Sequence, residues 1–205
     1  MKVSRALVAE HRQDLLEQGG RLFRRHGIGG VSVAEVAGAA GLTHGAFYGH
    51  FASKAALATE AVGSSLMAAA GRWRQRAERA RERGADPLGA LVATYLSPAH
   101  RDAPESGCVL AALGPEAARA DGPMALALQG GTEALVAVLA DEMSRRHPGL
   151  APSMATGRAL AMLSAMTGGL VLARALGADT AASDRALETT AALAMAAADL
   201  SCDSD

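Results

Sequence analysis

Aromatic residues are scarce in this chain, with three Phe, two Tyr and one Trp among 205 residues, and β-branched residues are thin as well. That scarcity argues against a protein built on sheets, because these are the side chains that fit a pleated surface. Only two cysteines occur, Cys108 and Cys202, far apart in sequence, which excludes a disulfide framework. No run of eighteen uninterrupted apolar residues is found, so no membrane span is expected. The first twenty residues carry Glu10 and Asp14 where a signal peptide would need an apolar stretch, so the chain is expected to be cytoplasmic. Also missing are a phosphate-binding glycine loop, a cluster with metal-ligand spacing and a nucleophile–base pairing by spacing. An enzyme is therefore not expected, nor a metal or cofactor.

What is abundant is Ala and Leu. Half the residues are hydrophobic and a fifth are charged, enough for a substantial core and too apolar for wholesale disorder. Ala and Leu favour helix, and the expectation is an all-α protein. The net charge of −1 hides an asymmetry. Residues 1–54 hold seven basic against four acidic residues, the remainder thirteen against seventeen. A modestly basic head on an acidic body suits a nucleic-acid-binding end.

Local signals divide the chain into helices. A first helix is predicted from about residue 4 to His26, with Gly27 as its stop and Leu15, Gly19, Leu22 and Phe23 on one stripe. Ser32-Val33-Ala34-Glu35 reads as a capping box opening a short helix whose inward residues are Val33, Val36, Ala37 and Ala40. Gly41 supplies a tight turn, and Thr43 caps a next helix, Thr43–Phe51, with Phe47 and Phe51 inward. Ser53 caps a fourth helix running to about Ala70 or beyond, with the Arg-rich run Gly71–Arg83 as its solvated end. Asp86-Pro87 starts another helix, residues 98–106 read as a loop, and a short helix at Cys108–Leu113 precedes a turn at Gly114-Pro115. Three longer helices follow, at about 123–147, 152–176 and 181–202. The last two are apolar on more than one face, which points to a subunit interface.

Two short helices joined by a glycine turn form the frame that places the second helix in a DNA major groove. Ser32, Thr43 and Ser53 put hydroxyls at helix N-termini, where free amides favour phosphate. Tyr48 and His50 project away from Phe47 and Phe51 and can reach backbone oxygens. Lys54 stands in the first turn of the fourth helix, where its charge opposes the helix dipole, and a phosphate partner would explain that placement. Base reading falls to His44 and Gly45 at the start of the recognition helix. His44 and His50 lie six apart, poor spacing for two metal ligands on one face.

In this same segment the chain resembles the TetR family of bacterial regulators. The resemblance rests on Ser32, the Ala37…Ala40-Gly41-Leu42 turn, Thr43, the Phe47-Tyr48…His50-Phe51 cluster and Ser53-Lys54…Leu57. It covers about the first sixty residues. Ala55 departs from it, since the family often has an acidic residue after the lysine. The resemblance implies a three-helix helix-turn-helix domain over 1–54 and a larger helical ligand-sensing and dimerisation body over 55–205, about nine helices. It implies a homodimeric regulator, a repressor by analogy, that binds a palindromic double-stranded DNA operator and is released by a small molecule. The DNA-binding candidates are Ser32, Thr43, His44, Gly45, Tyr48, His50 and Lys54.

The effector pocket of such proteins lies in the helical body. Candidates for it are Met67, Tyr95, Cys108, Met124, Met162 and Met166, with Trp73 and Leu96 beside them. Met adapts to irregular ligands, and equally a Met stripe at helical spacing is plain core. Some family members carry a cysteine near the position of Cys108 and a few use it to sense oxidants or electrophiles. A thiol-based sensor acting through Cys108 is thus the alternative, set against a buried, inert cysteine. Cys202 lies in a polar tail.

Overall fold

The structure, a computed structural model, describes residues 4–199. These form ten α-helices, one short 3-10 turn and no strand. The helices are α1 Arg5–His26, α2 Val33–Ala39, α3 His44–Phe47, α4 Lys54–Glu82, α5 Pro87–Tyr95, α6 Pro98–Asp102, α7 Val109–Ala117, α8 Pro123–Arg146, α9 Pro152–Leu176 and α10 Ala181–Ala198. The 3-10 turn, Pro104–Ser106, lies between α6 and α7. The fold is all-α, as the composition requires.

The expected caps are in place. Ser4 accepts from the Leu7 amide at the start of α1, and Gly27 ends that helix at φ 75°. Ser32 and Glu35 form the reciprocal capping box of α2. At the end of α2, Gly41 takes φ 71°, its amide donates to Gly38 O, and the Leu42 amide donates back to Ala37 O. This is a Schellman stop, and it turns the chain between α2 and α3. The same device ends α4 at Gly84, with Ala85 N donating to Ala80 O. Asp86 caps α5 with Pro87 at its first position.

Four local expectations are corrected. The helix predicted over Thr43–Phe51 is a single α-turn followed by a tightened turn, with Gly49 N bonding Ala46 O and His50 N bonding Phe47 O. Residues 98–106, expected as a loop, contain α6 and the 3-10 turn. Ser97 and Pro98 start α6, and distant side chains complete it. Arg174 donates to the carbonyls of His100 (2.9 Å) and Arg101 (3.1 Å), and Arg101 itself donates to Ser183 and Asp184 of α10. The turn expected at Gly114-Pro115 lies inside α7, which runs on to Ala117 despite the missing proline donor. Glu116 in that last turn accepts two long-range hydrogen bonds, so tertiary contact overrides the local breaker. The helix expected to reach residue 202 ends at Ala198, capped by Asp199, whose carboxylate is held by Arg146 and His147. Cys202 lies outside the described residues.

Two compact units emerge, residues 1–65 with 104–131 and residues 66–103 with 132–205. Lys54 opens α4, and α4 and α8 each contribute a part to both units.

The first unit is centred on Leu15, Phe23, Val36, Phe47, Phe51 and Leu57, all buried. Gly19 and Gly20 in mid-α1 are buried, and a Cβ on Gly19 would come within 2.8 Å of Leu57, so α4 crosses α1 closely there. The second unit is centred on Leu91, Leu139, Met143, Met162, Met166 and Leu170. Within it α9 lies along α10 at very close range. A Cβ on Gly169 would stand 2.6 Å from Thr190 Cβ.

By length and composition alone α8 and α9 could each cross a membrane, with mean hydropathy of 1.4 and 1.6 over their most apolar windows. In α9, however, that apolar character serves helix packing, and the helix carries buried Arg158, which donates to Ala198 O.

Candidate nucleic-acid interface

Helix α3 is placed by aromatic packing. Phe47 and Phe51 are buried with ring centroids 5.9 Å apart, and the guanidinium of Arg12 on α1 stands 4.6 Å over the Phe51 ring. The same guanidinium forms a bidentate pair with Glu60 of α4, both bonds at 2.5 Å. Its hydrogen bonds hold the Glu60 carboxyl below its ordinary pKa. Arg12 thus ties α1, α4 and the end of the α3 segment together. Its spacing of 48 residues from Glu60 gives no local sequence signal.

With the two phenylalanines turned inward, α3 presents its other face outward. Thr43, His44, Gly45 and Tyr48 are exposed, and His50 is half-buried. The His44 and Tyr48 rings meet edge to face at 5.4 Å, which restricts both. His50 lies 6.1 Å from the ring of His11 on α1. Gly45 has open space where a Cβ would be, so nothing inside the protein requires a glycine there. In a helix that choice costs about 1 kcal/mol relative to Ala.

The caps differ in what they leave available. Thr43 Oγ1 accepts from the Ala46 amide and Ser53 Oγ from the Ala56 amide, so each hydroxyl can still donate outward. The Ser32 hydroxyl instead donates to Glu35 Oε2 at 2.7 Å. That bond and the one from the Ser32 amide hold the Glu35 carboxyl below its ordinary pKa.

Lys54 has a different setting from the one its sequence position suggested. Its Nζ donates to the carbonyls of Ile28 and Val31, each at 2.7 Å. The ammonium at the start of α4 is thus compensated by loop carbonyls of this chain, which corrects the reason inferred for its placement. The amides of the same loop are held from the opposite side. Ile28 N–H and Gly29 N–H donate to the two oxygens of Glu116 on α7, both at 3.0 Å. The segment 28–31 therefore has its carbonyls on a cation and its amides on an anion. Gly30 fits only as glycine, since a Cβ would come within 2.4 Å of the His26 carbonyl oxygen. Glu116 and Arg12 are positions that no local sequence signal marked.

Residues 15–61 match the family described as bacterial regulatory proteins, tetR family. Over residues 15–61 the chain thus carries a segment of the tetR-family type. Members of that family are bacterial regulatory proteins. The chain is 45% identical over 51 residues to the HTH-type transcriptional regulator AcrR of Shigella flexneri, a match spanning 25% of this chain and 24% of that protein. Among solved structures it is similar to NemR of E. coli in its reduced form, with a TM-score of 0.72 and 21% identity over 90% of this chain and 94% of that one. A TetR-family transcriptional regulator from Cytophaga hutchinsonii gives a TM-score of 0.72 and 20% identity, over 96% and 98% of the two chains. At such identities these structures establish a shared fold over nearly the whole chain.

The residues expected to form an effector pocket are divided between the two units. Met67 is exposed at 54%. Met162 and Met166 are fully buried in the second unit, where Tyr95 packs against Trp73 at 5.8 Å and His100 at 4.7 Å. Met124 and Cys108 belong to the first unit. Met124 borders a cavity there, and Cys108 is the half-buried cap residue of α7. Among the described residues no three His, Cys, Asp or Glu side chains gather as metal ligands would.

Proposed function

We propose that this protein is a ligand-responsive repressor that binds a palindromic operator as a homodimer in the cytoplasm and is released by a small molecule. The observation that carries the reading is the outward face of α3, where Thr43, His44, Gly45 and Tyr48 stand exposed on a turn fixed by buried phenylalanines. His44 and Gly45 address base edges, while Thr43, Tyr48, His50 and the Ser53 cap engage phosphates. Ser32 joins them once its proton leaves Glu35. Lys54 acts by holding the 28–31 loop beneath this surface. Residues 1–54 form the DNA-binding part and 55–205 the sensing and dimerising part.

Dimerisation is supported by the outer face of α9 and α10. Leu160, Val171 and Leu172 are 48%, 44% and 54% exposed and fall within about 120° of one another around α9. Leu193 on α10 is 61% exposed. Such an apolar face is what a homodimer buries. Two heads about one DNA turn (~34–36 Å) apart then read two half-sites, and the effector favours a state whose heads cannot match both.

The test is an electrophoretic shift with the DNA flanking the protein's own gene, followed by ranking operator variants with His44→Ala. The expected result is a shift and a changed ranking. No shift refutes the regulator, and an unchanged ranking refutes base reading by His44. A second reading, a thiol sensor, draws on Cys108, which opens the helix that carries Glu116. Oxidant that releases DNA from wild type but not from Cys108→Ser would favour it.

A further inference from the structure

The first unit holds an open cavity of about 910 Å³, within the range of small-molecule sites. Its walls come from the first three turns of α4, the end of α7 and the start of α8, with Ile28 of the clamped loop at one edge. The lining is mainly small and apolar, including Ala56, Gly63, Ala120, Met124 and Ala127. Every charged residue in it is acidic: Glu60, Glu116 and Asp121. Their circumstances differ. Glu60 is neutralised by Arg12. Glu116 is bonded to two backbone amides, which carry no net charge, and Asp121 is exposed. An apolar space bounded by uncompensated carboxylates selects an apolar cation over a neutral or anionic molecule of equal size.

We propose that this cavity is the effector site for an apolar cation, and that Glu116 is the element through which it acts. This rests on the regulatory reading above. Glu116 faces the cavity and also holds the Ile28 and Gly29 amides, so a cation bound beside it competes for the carboxylate. The amides loosen, and the 28–31 loop leading into α2 is then held on its Lys54 side alone. The ligand acts because it binds more tightly to the state in which Glu116 has left the loop.

The test titrates the full chain calorimetrically with tetraphenylphosphonium and with tetraphenylborate, which has the same shape and the opposite charge. The phosphonium is expected to bind at least about tenfold more tightly than the borate. Ala120→Trp and Thr59→Trp, each filling the cavity from a half-exposed position, should weaken phosphonium binding by about tenfold or more while circular dichroism stays that of wild type. Glu116→Gln should weaken it by about threefold to tenfold. Equal affinity for the two ions, or phosphonium affinity unchanged in both tryptophan variants, overturns the site. Phosphonium that binds without releasing a bound DNA overturns the role of Glu116. A chain that shifts DNA but binds no phosphonium refutes this site and leaves the regulator standing. A chain that binds phosphonium in this pattern but shifts no DNA does the reverse.

Discussion

Replacing Lys54 with methionine separates two roles for one side chain. The change keeps the stem and removes the ammonium that donates to Ile28 O and Val31 O at 2.7 Å. A hydrogen bond to a charged group is worth about 1.5–3 kcal/mol when shielded from water. Lys54 is half-buried and water can reach the loop carbonyls, so about 1 kcal/mol per bond is the apt figure, about 2 kcal/mol together. Against this, the variant relieves a cation at the N-terminus of α4, a gain of about 0.3–1 kcal/mol. The hydrogen bonds win, and the net loss is about 1–2 kcal/mol. With a urea slope of about 2 kcal/mol/M, the unfolding midpoint should fall by roughly 0.5–1 M. It is to be measured by circular dichroism at one fixed protein concentration, because association adds to the stability of a dimer.

DNA affinity should fall for all sequences alike, because the loop supporting the recognition surface is loosened. The slope of log affinity against log salt should stay as in wild type, whereas loss of a direct phosphate contact lowers it by about 0.9. An unchanged urea midpoint together with a slope reduced by about one would refute the structural role and return Lys54 to the phosphate backbone.

Other predictions concern the second unit. Gly169→Ala places a Cβ 2.6 Å from Thr190 Cβ, which no rotamer change can move, so α9 and α10 must separate. A loss of about 1–3 kcal/mol in urea unfolding is expected, with weaker self-association by sedimentation, and wild-type stability would show that the two helices part at no cost. His100 is half-buried, and its desolvation is the largest influence on the ring, lowering the pKa below the ordinary value although the bond from Nδ1–H to Tyr95 O (2.7 Å) raises it. The unfolded chain therefore binds the proton more readily, so His100 favours folding fully above its unfolded pKa of about 6.5 and progressively less as pH falls below it. His100→Asn should flatten the dependence of the urea midpoint between about pH 5 and 7; an undiminished slope would mean that other groups set it.

How much of this was legible in the sequence depended on the distance over which each signal acts. Ser32 with Glu35, Thr43 with Ala46, and Gly41 with Leu42 are partners within a few residues, and the residue types alone state the geometry. The position of α3 was legible for the same reason, because Phe47 and Phe51 sit one turn apart and bury together. Its length was not, since four residues of α-helix and a tightened turn share the same i, i+4 contact. Helix α6 escaped because its stability is supplied by Arg174 and by the bonds of Arg101 to α10, more than seventy residues away.

The site itself shows the same split in a functionally weightier form. The surface proposed to meet DNA is written locally, in caps and in a pair of inward rings. The surface that could regulate it is written in long-range charges: Arg12 with Glu60, Lys54 with Ile28 and Val31, and Glu116 with Ile28 and Gly29. Read alone, each of those ions is an ordinary surface residue, and the place of Lys54 at a helix N-terminus suggests an outside anion. The folded chain gives the lysine two carbonyls and the glutamate two amides of one four-residue loop. A loop held by opposite charges on its two edges is stable only while both stay in place. A ligand that competes for either one can therefore act on the recognition helix without touching it.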